Sequence, residues 1–567
     1  MYEELIEDVD EAIERAGRWF LENQSPEGYW VGELESNVTI TSEYLMLLKF
    51  LGIDMPERER KIRNYILSLQ RPEGYWNIFY GGDGDINATV EAYFALKLLG
   101  ESKDSPHMKK ARDFILEAGG IPSSRVFTKI WLSLFGQYRW EGVPIIPPEI
   151  ILLPTWFPVN IYEFASWARG TFLPLSIVRV KKPVKRIPEK HHIWELYLNP
   201  QDKSNWELPK AQRFLSAKNF FLKLERILRF YEALPIKPMR GYAIKEIERW
   251  IIRHQEADGS WGGIQPPWIY SIIALHLLGY PLNHPVIKKA LDCFDLFGID
   301  EGDKWHHQSC VSPVWDTALA VIALRDAGLP PEHPALVRAG RWLLKEQITD
   351  IKGDWAVKNR KAEPGGWAFE FENDLYPDVD DTAIVLMALL ELDIPGKEKA
   401  IEKGLRWMVS MQSKNGGFGA FDKDNDKAFL KEMPFADFGE LLDPPSVDVT
   451  SHIVEVLGRM GYGEDFAPLR RAVEYIRREQ EDDGSWFGRW GINYIYGTWS
   501  ALLALRAVGE DVNSPRIRKA VDWLKSHQNP DGGWGEDPRS YEDLSWKLSL
   551  IHISEPTRLG MISYAVF

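Results

Sequence analysis

A short motif that recurs seven times constrains the fold of this chain more than any other feature. Each copy has an aromatic residue, four intervening residues, Gln, a short polar turn, Gly and a second aromatic residue. The copies are Trp19–Trp30, Tyr65–Trp76, Trp250–Trp261, Trp342–Trp355, Trp407–Phe418, Tyr475–Trp486 and Trp523–Trp534. Six keep Gln and Gly four residues apart, and the fourth, Gln347 to Gly353, has two extra residues. Such self-similarity is typical of helical repeat architectures.

The repeat unit predicts a helix followed by a stapled turn. A stretch with helical apolar periodicity, such as Ala400–Met411, leads into the Gln. We expect the Gly to take a left-handed conformation at the helix end, and the Gln amide to bind unpaired backbone groups. The Trp residues are interpreted as structural staples rather than ligand contacts. Apolar helices after the loops, such as Asp448–Gly458, then predict helix pairs that close into α/α barrels.

Length and composition limit the class of protein. A chain of 567 residues exceeds one hydrophobic core, so two domains are expected. The net charge of −15 argues against a nucleic-acid partner. Only Cys293 and Cys310 are present, which argues against a disulfide framework and favours a reducing compartment. The acidic N-terminus does not resemble a secretory signal, and no apolar run of about 18 residues predicts a membrane-spanning helix.

Asp378-Val379-Asp380-Asp381 places three carboxylates in four positions before a predicted helix, Thr382–Leu392. Like charges this close cannot all ionise cheaply, so at least one is expected to hold a proton near neutral pH. A protonated acid beside anionic neighbours is a candidate proton donor. The alternative is a solvated acidic turn favoured by the helix dipole. A metal site is disfavoured, because neither a calcium loop nor a Cys/His cluster accompanies the triplet.

The charge of the chain changes sign in one segment. Leu208–Arg240 contains eight Lys or Arg and two Glu, interleaved with Phe, Leu and Ile, whereas Gly142–Pro158 before it is predicted to be an extended loop. A basic amphipathic helix favours contact with a membrane surface, and an ordinary outer helix remains open. The end of the chain, Leu548–Phe567, has no helical stripe and is similar to a translated sequencing adapter. We therefore expect the genuine chain to break near Lys547, with the natural C-terminus absent.

Seven sequence blocks, together with the repeats and Asp378–Ala383, resemble the squalene–hopene cyclase family of bacterial type II triterpene cyclases. The blocks are Ser36–Glu43, Ser166–Arg169, Gly262–Pro267, Ser312–Thr317, Gly365–Phe369, Pro444–His452 and Arg489–Tyr496. The resemblance extends from about Ala16 to Tyr541. The related oxidosqualene cyclases usually have Asp-Cys-Thr-Ala where this chain has Asp380-Asp381-Thr382-Ala383. The additional acid favours protonation of an alkene over opening of an epoxide.

The resemblance implies an all-α fold of two α/α-barrel domains. Residues 1–37 and 310–547 would form a discontinuous, C-terminally truncated catalytic barrel. Residues 38–309 would form an inserted second barrel with a membrane-binding segment at about 208–240, and residues 548–567 a non-native tail.

The activity implied is the cyclisation of squalene to hopene in hopanoid biosynthesis, with hopanol left open as a second product. No metal or organic cofactor is expected. The protein would be monotopic on the cytoplasmic face of the cell membrane, bind squalene and no nucleic acid, and a homodimer remains open. The alternatives are a cyclase of another polyprene such as tetraprenyl-curcumene, an α/α-barrel glycoside hydrolase using paired carboxylates, and a non-enzymatic helical scaffold.

The resemblance also assigns roles to residues. Asp380 would be the acid, Asp378 and Asp381 would stay anionic or share hydrogen bonds, and His452, held by Asp448, would donate to Asp380. The cation-stabilising and substrate-binding set is Phe369, Trp315, Trp167, Trp490, Phe421, Tyr496 and Asp316, with Phe421 where the family commonly has Tyr. The termination water network is Glu43, Glu91, Arg125, Gln265 and Pro266. The channel constriction is Phe164, Phe172 and Phe435.

Overall fold

The computed structural model describes residues 2–199, 216–435, 440–530, 532–541, 543 and 546. The chain divides into two compact units. The described parts of Met1–Leu34, Val311–Asp426 and Asp443–Val566 form the first unit, and those of Glu35–Cys310 and Lys427–Leu442 belong to the second. Sequence analysis placed the boundaries at residues 37/38 and 309/310 and assigned residues 427–442 to the catalytic barrel. The predicted tail, Leu548–Phe567, lies outside the described residues.

The second unit is helical apart from one short antiparallel hairpin. In it the strand β1 pairs with β2, with Gly298 opposite His307. The elements are α2 (Val38–Leu51), α3 (Pro56–Leu69), α4 (Ile86–Leu98), α5 (Pro106–Glu117), α6 (Val126–Leu134), α7 (Ser166–Lys181), α8 (Ala217–Ala233), α9 (Arg240–Arg253), α10 (Gln265–Leu277), α11 (Pro285–Cys293), β1 (Gly298–Asp300) and β2 (Trp305–His307).

The first unit begins with one helix before the second unit and continues after it. Its helices are α1 (Tyr2–Glu22), α12 (Pro313–Asp326), α13 (Pro334–Lys345), α14 (Val379–Leu390), α15 (Lys397–Ser410), α16 (Val447–Arg459), α17 (Ala467–Arg478), α18 (Asn493–Ala507) and α19 (Pro515–Ser526). The described elements of both units are helices apart from one short hairpin, which confirms the predicted all-α class. The motif helix α14 begins at Val379, three residues before the predicted start.

Each unit pairs inner, largely apolar helices with outer amphipathic ones. In the first unit α12, α14, α16 and α18 pack against one another in succession, and α13, α15, α17 and α19 flank them. In α14 every residue from Val379 to Leu389 is buried, whereas α15 buries one stripe that includes Trp407 and Met408. A helix that is apolar on all sides belongs in a core, and a striped helix belongs at its edge. The periodicity of each segment therefore decided its layer.

The repeated Gln residues join each turn to a second helix. In six copies the Gln Nε2 donates to the carbonyl of the motif Gly, at 2.7–3.0 Å. In five of these it also donates to the first turn of another outer helix, as Gln24 does to Ala335. The motif Trp donates its Nε1 to a carbonyl ten residues earlier, as Trp30 does to Phe20. These bonds confirm that the motif Gln and Trp are structural.

The motif glycines lie in the turn rather than at the end of the helix. Gly28 has φ of 112° and donates its N–H to the Ser25 carbonyl, whereas α1 has already ended at Glu22. A Cβ at Gly28 would lie 2.7 Å from the Arg338 carbonyl oxygen. Positive φ and close backbone approach therefore both require glycine at this position.

The fourth repeat differs from its predicted alignment. Gln347 Nε2 donates to the carbonyls of Gly365 (2.8 Å) and Ala400 (2.9 Å), and Trp367 Nε1 donates to Leu343 (2.6 Å). The pairing of Gln347 with Gly353 and Trp355 was therefore wrong. Both Gly-x-Trp sequences fit the motif, and only the path of the chain between them decides which one reaches Gln347. The Gly and Trp that complete the fourth repeat therefore belong to Gly365–Phe369, a block that was predicted to be part of the active site.

Candidate active site

The acidic triplet is buried at the N-terminus of α14. Asp378, Asp380 and Asp381 are all buried, and Asp378 caps the helix by accepting from the backbone N–H of Asp381 at 2.6 Å. Thr382 Oγ1 donates to the Asp378 carbonyl, and the Asp378 N–H donates to the Trp367 carbonyl. The alternative of a solvated acidic turn is therefore wrong. The staple residue Trp367 and the capped helix together fix the triplet in the core.

Asp380 pairs with His452 of the neighbouring helix α16. Asp380 Oδ1 and His452 Nδ1 are 2.6 Å apart, and in the part of the chain that the structure describes His452 Nε2 has no hydrogen-bond partner. Burial lowers the pKa of His452, but the charge and hydrogen bond of Asp380 more than compensate, so the pKa is raised overall. The imidazole is therefore favoured as its cation, with Nδ1 donating to Asp380.

The other two acids favour their protonated forms. Burial raises the pKa of Asp378 to about 7, against the lowering effect of its hydrogen bonds with Asp381. Burial and the adjacent charge of Asp378 raise the pKa of Asp381 well above its ordinary value. Of the two states expected for Asp378 and Asp381, the raised pKa values disfavour two anions. They fit the other state, in which the two carboxyl groups share a hydrogen bond. The raised pKa values therefore favour the protonated state of both carboxyl groups next to Asp380.

Asp448 does not hold His452 by a hydrogen bond. Its Oδ1 accepts from Ser446 Oγ at 2.5 Å, and its Oδ2 accepts from the backbone N–H groups of Arg489 (2.8 Å) and Trp490 (2.7 Å). Its negative charge does raise the pKa of His452. The predicted contact is thus corrected: Asp448 positions the loop that carries Trp490 and acts on His452 through its charge.

Aromatic rings surround the Asp380–His452 pair. The rings of Trp315, Tyr496 and Trp499 each have their centroid 6.2 Å from that of His452. Sequence analysis missed Trp499, although its spacing of three residues from Tyr496 on α18 places both on one helix face. Phe421 and Trp490 form a second, edge-to-face pair at 6.0 Å. Phe369 packs against the same core as a partly buried side chain.

Two further aspartates, one buried and one half-buried, organise the backbone around these rings. Asp443, to which sequence analysis assigned no role, accepts from the N–H groups of Ala420, Phe421 and Asp422, and burial raises its pKa to about 6. Asp316 was predicted to contact the substrate. Its Oδ2 instead accepts from Gly32 N–H (2.6 Å) and Ser312 Oγ (2.9 Å), and burial raises its pKa to about 6. Asp316 Oδ2 therefore links the backbone at Gly32 to the start of α12 by hydrogen bonds.

Three of the predicted termination residues, Glu43, Glu91 and Arg125, form a polar cluster in the second unit. Glu91 Oε1 accepts from Thr128 Oγ1 at 2.5 Å and lies 3.7 Å from Arg125 Nη2. Burial, followed by the charge of Glu91, raises the pKa of Glu43 well above its ordinary value. Glu43 and Glu91 are both buried. Gln265 and Pro266 begin α10, and Gln265 is buried while Pro266 is half-buried.

The predicted channel residues contact one another in the second unit. The Phe164 and Phe172 rings are 4.9 Å apart, and those of Phe172 and Phe435 are 5.9 Å apart. Trp167, on the first turn of α7, donates its Nε1 to the Glu440 carbonyl. A narrow cavity beside these rings is lined by Val126, Phe127, Ile130, Ile146, Ala168, Thr171, Phe172, Leu175 and Phe435. Its lining is almost entirely apolar.

The basic segment contains α8, which has one anchored face and one exposed apolar face. Residues 208–215 lie outside the described ranges. Phe221 is buried and stacks on Phe429, and the buried Glu225 pairs with Arg229. On the other face Phe220, Ile227 and Phe230 are 61%, 63% and 70% exposed. Among the helices of the described ranges, none combines the length and the apolar character needed to cross a bilayer.

Comparison with known proteins decides the family. A family model of the squalene-hopene cyclase N-terminal domain matches residues 13–303, and that of the C-terminal domain matches residues 311–558. The chain belongs to the squalene–hopene cyclase family. The C-terminal match extends past Lys547 into the stretch predicted to be a non-native tail.

Curated relatives cover nearly the whole chain. The squalene–hopene cyclase of Alicyclobacillus acidocaldarius is 49% identical over 96% of this chain and 86% of its own length. The squalene–hopene cyclase of Zymomonas mobilis is 42% identical over 95% of this chain and 83% of its own length. A dammaradiene synthase from Dryopteris crassirhizoma is 43% identical over 88% of this chain and 74% of its own length. This protein is accordingly a type II terpene cyclase.

Proposed function

We propose that this protein cyclises squalene to hopene, with hopanol as a second product, and that Asp380 starts the reaction by protonating a terminal double bond. The observation that carries the proposal is the buried Asp380–His452 pair, 2.6 Å apart and surrounded by aromatic rings, in a chain 49% identical to a squalene–hopene cyclase. Squalene has no heteroatom, so only a carbon–carbon double bond is available to the acid. Protonation of an alkene requires an unusually strong acid.

The arrangement of charges supports initiation at Asp380. Proton transfer forms a C–H bond from the alkene π electrons, leaves a tertiary cation and converts Asp380 to its carboxylate. The His452 cation lies 2.6 Å from that carboxylate and stabilises its negative charge. Asp378 and Asp381, whose pKa values are raised, hold protons on the same helix turn and can recharge Asp380 between turnovers. Asp380 thereby has a task distinct from that of Asp378 and Asp381.

Aromatic rings are suited to stabilising the migrating cation. A ring face contributes about 0.5–2 kcal/mol to a nearby cation and does not attack it as a nucleophile. We assign this role to Trp315, Phe369, Phe421 and Trp490 in the first unit, and to Trp167 in the second. The structure adds Trp499 beside Tyr496. Phe421 provides the same ring face as the Tyr that the family commonly has there. It lacks the hydroxyl, which is one group that could trap the cation.

Termination is assigned to the polar cluster of the second unit. Glu43, Glu91 and Arg125 with Gln265 would hold the water that either removes a proton or adds to the final cation. The raised pKa values of Glu43 and Glu91 support a pair that shares protons rather than two fixed anions. Loss of a proton would give hopene, and addition of water would give hopanol.

Asp380→Asn tests the proposed acid. The detergent-solubilised protein would be incubated with squalene in D₂O and the products identified by mass spectrometry. We expect the unmodified protein to form a pentacyclic hydrocarbon with one solvent deuterium at the initiating end, and Asp380→Asn to lower turnover at least about 10³-fold. Asp393→Asn makes the same change at an exposed site just past α14 and should remain active. Retained turnover in Asp380→Asn, with its thermal unfolding unchanged, would remove Asp380 from this role.

The same assay separates the alternative substrates. Tetraprenyl-curcumene would be supplied in parallel with squalene, and a dammarane-type tetracyclic product would be recognised by its mass spectrum. A preference for either alternative would replace the squalene–hopene assignment while retaining Asp380 as the acid. A glycoside hydrolase would require open polar subsites, and the rings around His452 and the family assignment both disfavour it.

We also propose that α8 lies on the membrane surface, from which a hydrocarbon substrate is taken up. Three exposed apolar side chains point from one side of a helix whose other side is anchored, and Lys223 and Arg226 are exposed beside them. Insertion of one Phe ring is worth about 1.5–3 kcal/mol. Phe230→Ser should therefore weaken sedimentation with anionic phospholipid vesicles at least about tenfold, and Val512→Ser, an exposed site in the first unit, should not. Equal binding by both variants would contradict the proposal.

A further inference from the structure

One side-chain amide in the second unit has both hydrogens engaged and its oxygen unpartnered. Gln265 Nε2 donates to the Ile40 carbonyl at 2.9 Å and lies 3.1 Å from His307 Nδ1. Gln265 Oε1 is buried and has no hydrogen-bond partner among the described residues. An unpartnered buried acceptor costs free energy unless it binds a group that the protein itself does not supply. Gln265 Oε1 is therefore available to accept a hydrogen bond from a bound water.

His307 is rigidly placed and neutral. Its ring is stacked on Tyr44, with centroids 5.5 Å apart and 8° between the planes, and on Phe297 at 6.0 Å and 12°. Its backbone N–H donates to Thr41 Oγ1. Burial, then the charges of His306 and Arg58, lowers the pKa of His307 to about 3. A neutral imidazole has one donor and one acceptor nitrogen, and Nδ1 must be the acceptor because it faces the Gln265 amide nitrogen.

We propose that His307 is a positioning residue that locks the Gln265 amide, so that Oε1 always faces the water that terminates cyclisation. The inference deepens the proposed function and rests on it. If the amide flipped, Oε1 would face two acceptors, the Ile40 carbonyl and His307 Nδ1. The N–H groups would then point at the water. His307 makes that flipped state unfavourable.

The amide orientation decides how the water can react. A water that donates one hydrogen to Gln265 Oε1 keeps an oxygen lone pair free for the cation. That lone pair forms the C–O bond, and the released proton passes to Glu91, the carboxylate beside Arg125 and Thr128. A water that accepts from the amide N–H groups would instead have one of its two lone pairs engaged and would be a weaker nucleophile. His307 is thus expected to set the ratio of alcohol to alkene without affecting initiation.

His307→Phe tests the inference in the full-length, detergent-solubilised protein. The Phe ring can keep the stacking with Tyr44 and Phe297 but removes the acceptor. We expect the ratio of alcohol to alkene to fall about three- to tenfold, as for loss of one hydrogen bond, with squalene consumption within about twofold of the unmodified protein. His306→Phe, which removes the adjacent imidazole stacked on Tyr65, is the matched control and should leave the ratio unchanged.

Two further comparisons exclude a general structural effect. His307→Asn places an amide oxygen near the Nδ1 position and should restore the ratio of alcohol to alkene. His307→Gln places its amide near the Nε2 position and should not restore it. If the Phe variant does not fold, these two variants test the inference in its place. If His307 acts through Gln265, adding His307→Phe to Gln265→Ala should change nothing more.

Three results would overturn the inference. They are an unchanged product ratio in His307→Phe, an additive effect in the double variant, and no detectable alcohol from a protein that consumes squalene. A protein that does not consume squalene at all would instead refute the proposed function, so the two failures are distinguishable.

Discussion

Replacement of Asp378 by Asn should stabilise the protein at neutral pH while keeping the helix cap. Asp378 Oδ1 accepts the backbone N–H of Asp381 at 2.6 Å, and Asn offers the same acceptor as an equally good N-cap residue. What Asn lacks is the charge. Because Asp378 is fully buried beside two other acids, its ionisation in the folded state is unfavourable. The variant therefore isolates the energetic effect of that charge.

The magnitude follows from the pKa. Burial raises the pKa of Asp378 to about 7 in the folded protein, against about 3.9 in an unfolded chain. Between these values the folded state holds a proton that the unfolded state has lost, so stability falls as pH rises and levels off above pH 7. Each pH unit is worth about 1.4 kcal/mol, which gives a loss of about 3 kcal/mol from pH 5 to pH 7. Asn should abolish this loss.

Thermal unfolding at a series of pH values between 5 and 8 provides the assay. For a unit of this size about 3 kcal/mol corresponds to roughly 6–12 °C in Tm. The quantity compared is the change in Tm between pH 5 and pH 7 in the unmodified protein minus that in Asp378→Asn, because buried acids outside the triplet contribute equally to both. Asp85→Asn is the matched control: Asp85 caps α4 through the N–H of Ala88 but is only half-buried.

The same pH dependence in Asp378→Asn and the unmodified protein would refute this reasoning. It would mean that the triplet ionises at ordinary pH values and stores no protons beside Asp380. A large effect in Asp85→Asn would attribute the result to cap chemistry rather than to the buried charge.

Three other substitutions, two of them with a matched control variant, test the fold by changes in urea or thermal unfolding. Gln347→Ala removes hydrogen bonds to two carbonyls and should cost about 2 kcal/mol, whereas Gln528→Ala, at an exposed staple, should cost less than about 0.5 kcal/mol; equal costs would contradict the alignment of the fourth repeat. Gly28→Ala should cost at least about 1–3 kcal/mol, because φ is 112° and the new Cβ meets a backbone oxygen; a neutral result would exclude strain there. Phe221→Ala should cost about 3–5 kcal/mol and Phe220→Ala less than about 0.5 kcal/mol; the reverse order would contradict the orientation of α8.

Local patterns in the sequence determined the helices, their layers and the repeated staple. Apolar periodicity over one helix distinguishes a core helix such as α14 from a striped helix such as α15 without knowledge of their neighbours. The aspartate motif likewise predicted crowded carboxylates, because three acids within four positions are close in any backbone conformation. Resemblance to the family then connected the motif to His452, which is 72 residues away.

Only the tertiary structure decided which distant groups meet. The sequence permits Gln347 to pair with either of two Gly-x-Trp segments, and the packing of the chain selected Gly365. Asp448 was expected at His452 and instead caps the loop at Trp490, and the segment Lys427–Leu442 joined the second unit. The orientation of the Gln265 amide depends on a strand 42 residues later. Periodicity is a property of neighbouring residues, whereas a hydrogen bond between distant residues depends on how whole helices and loops pack, and a linear pattern does not encode that geometry.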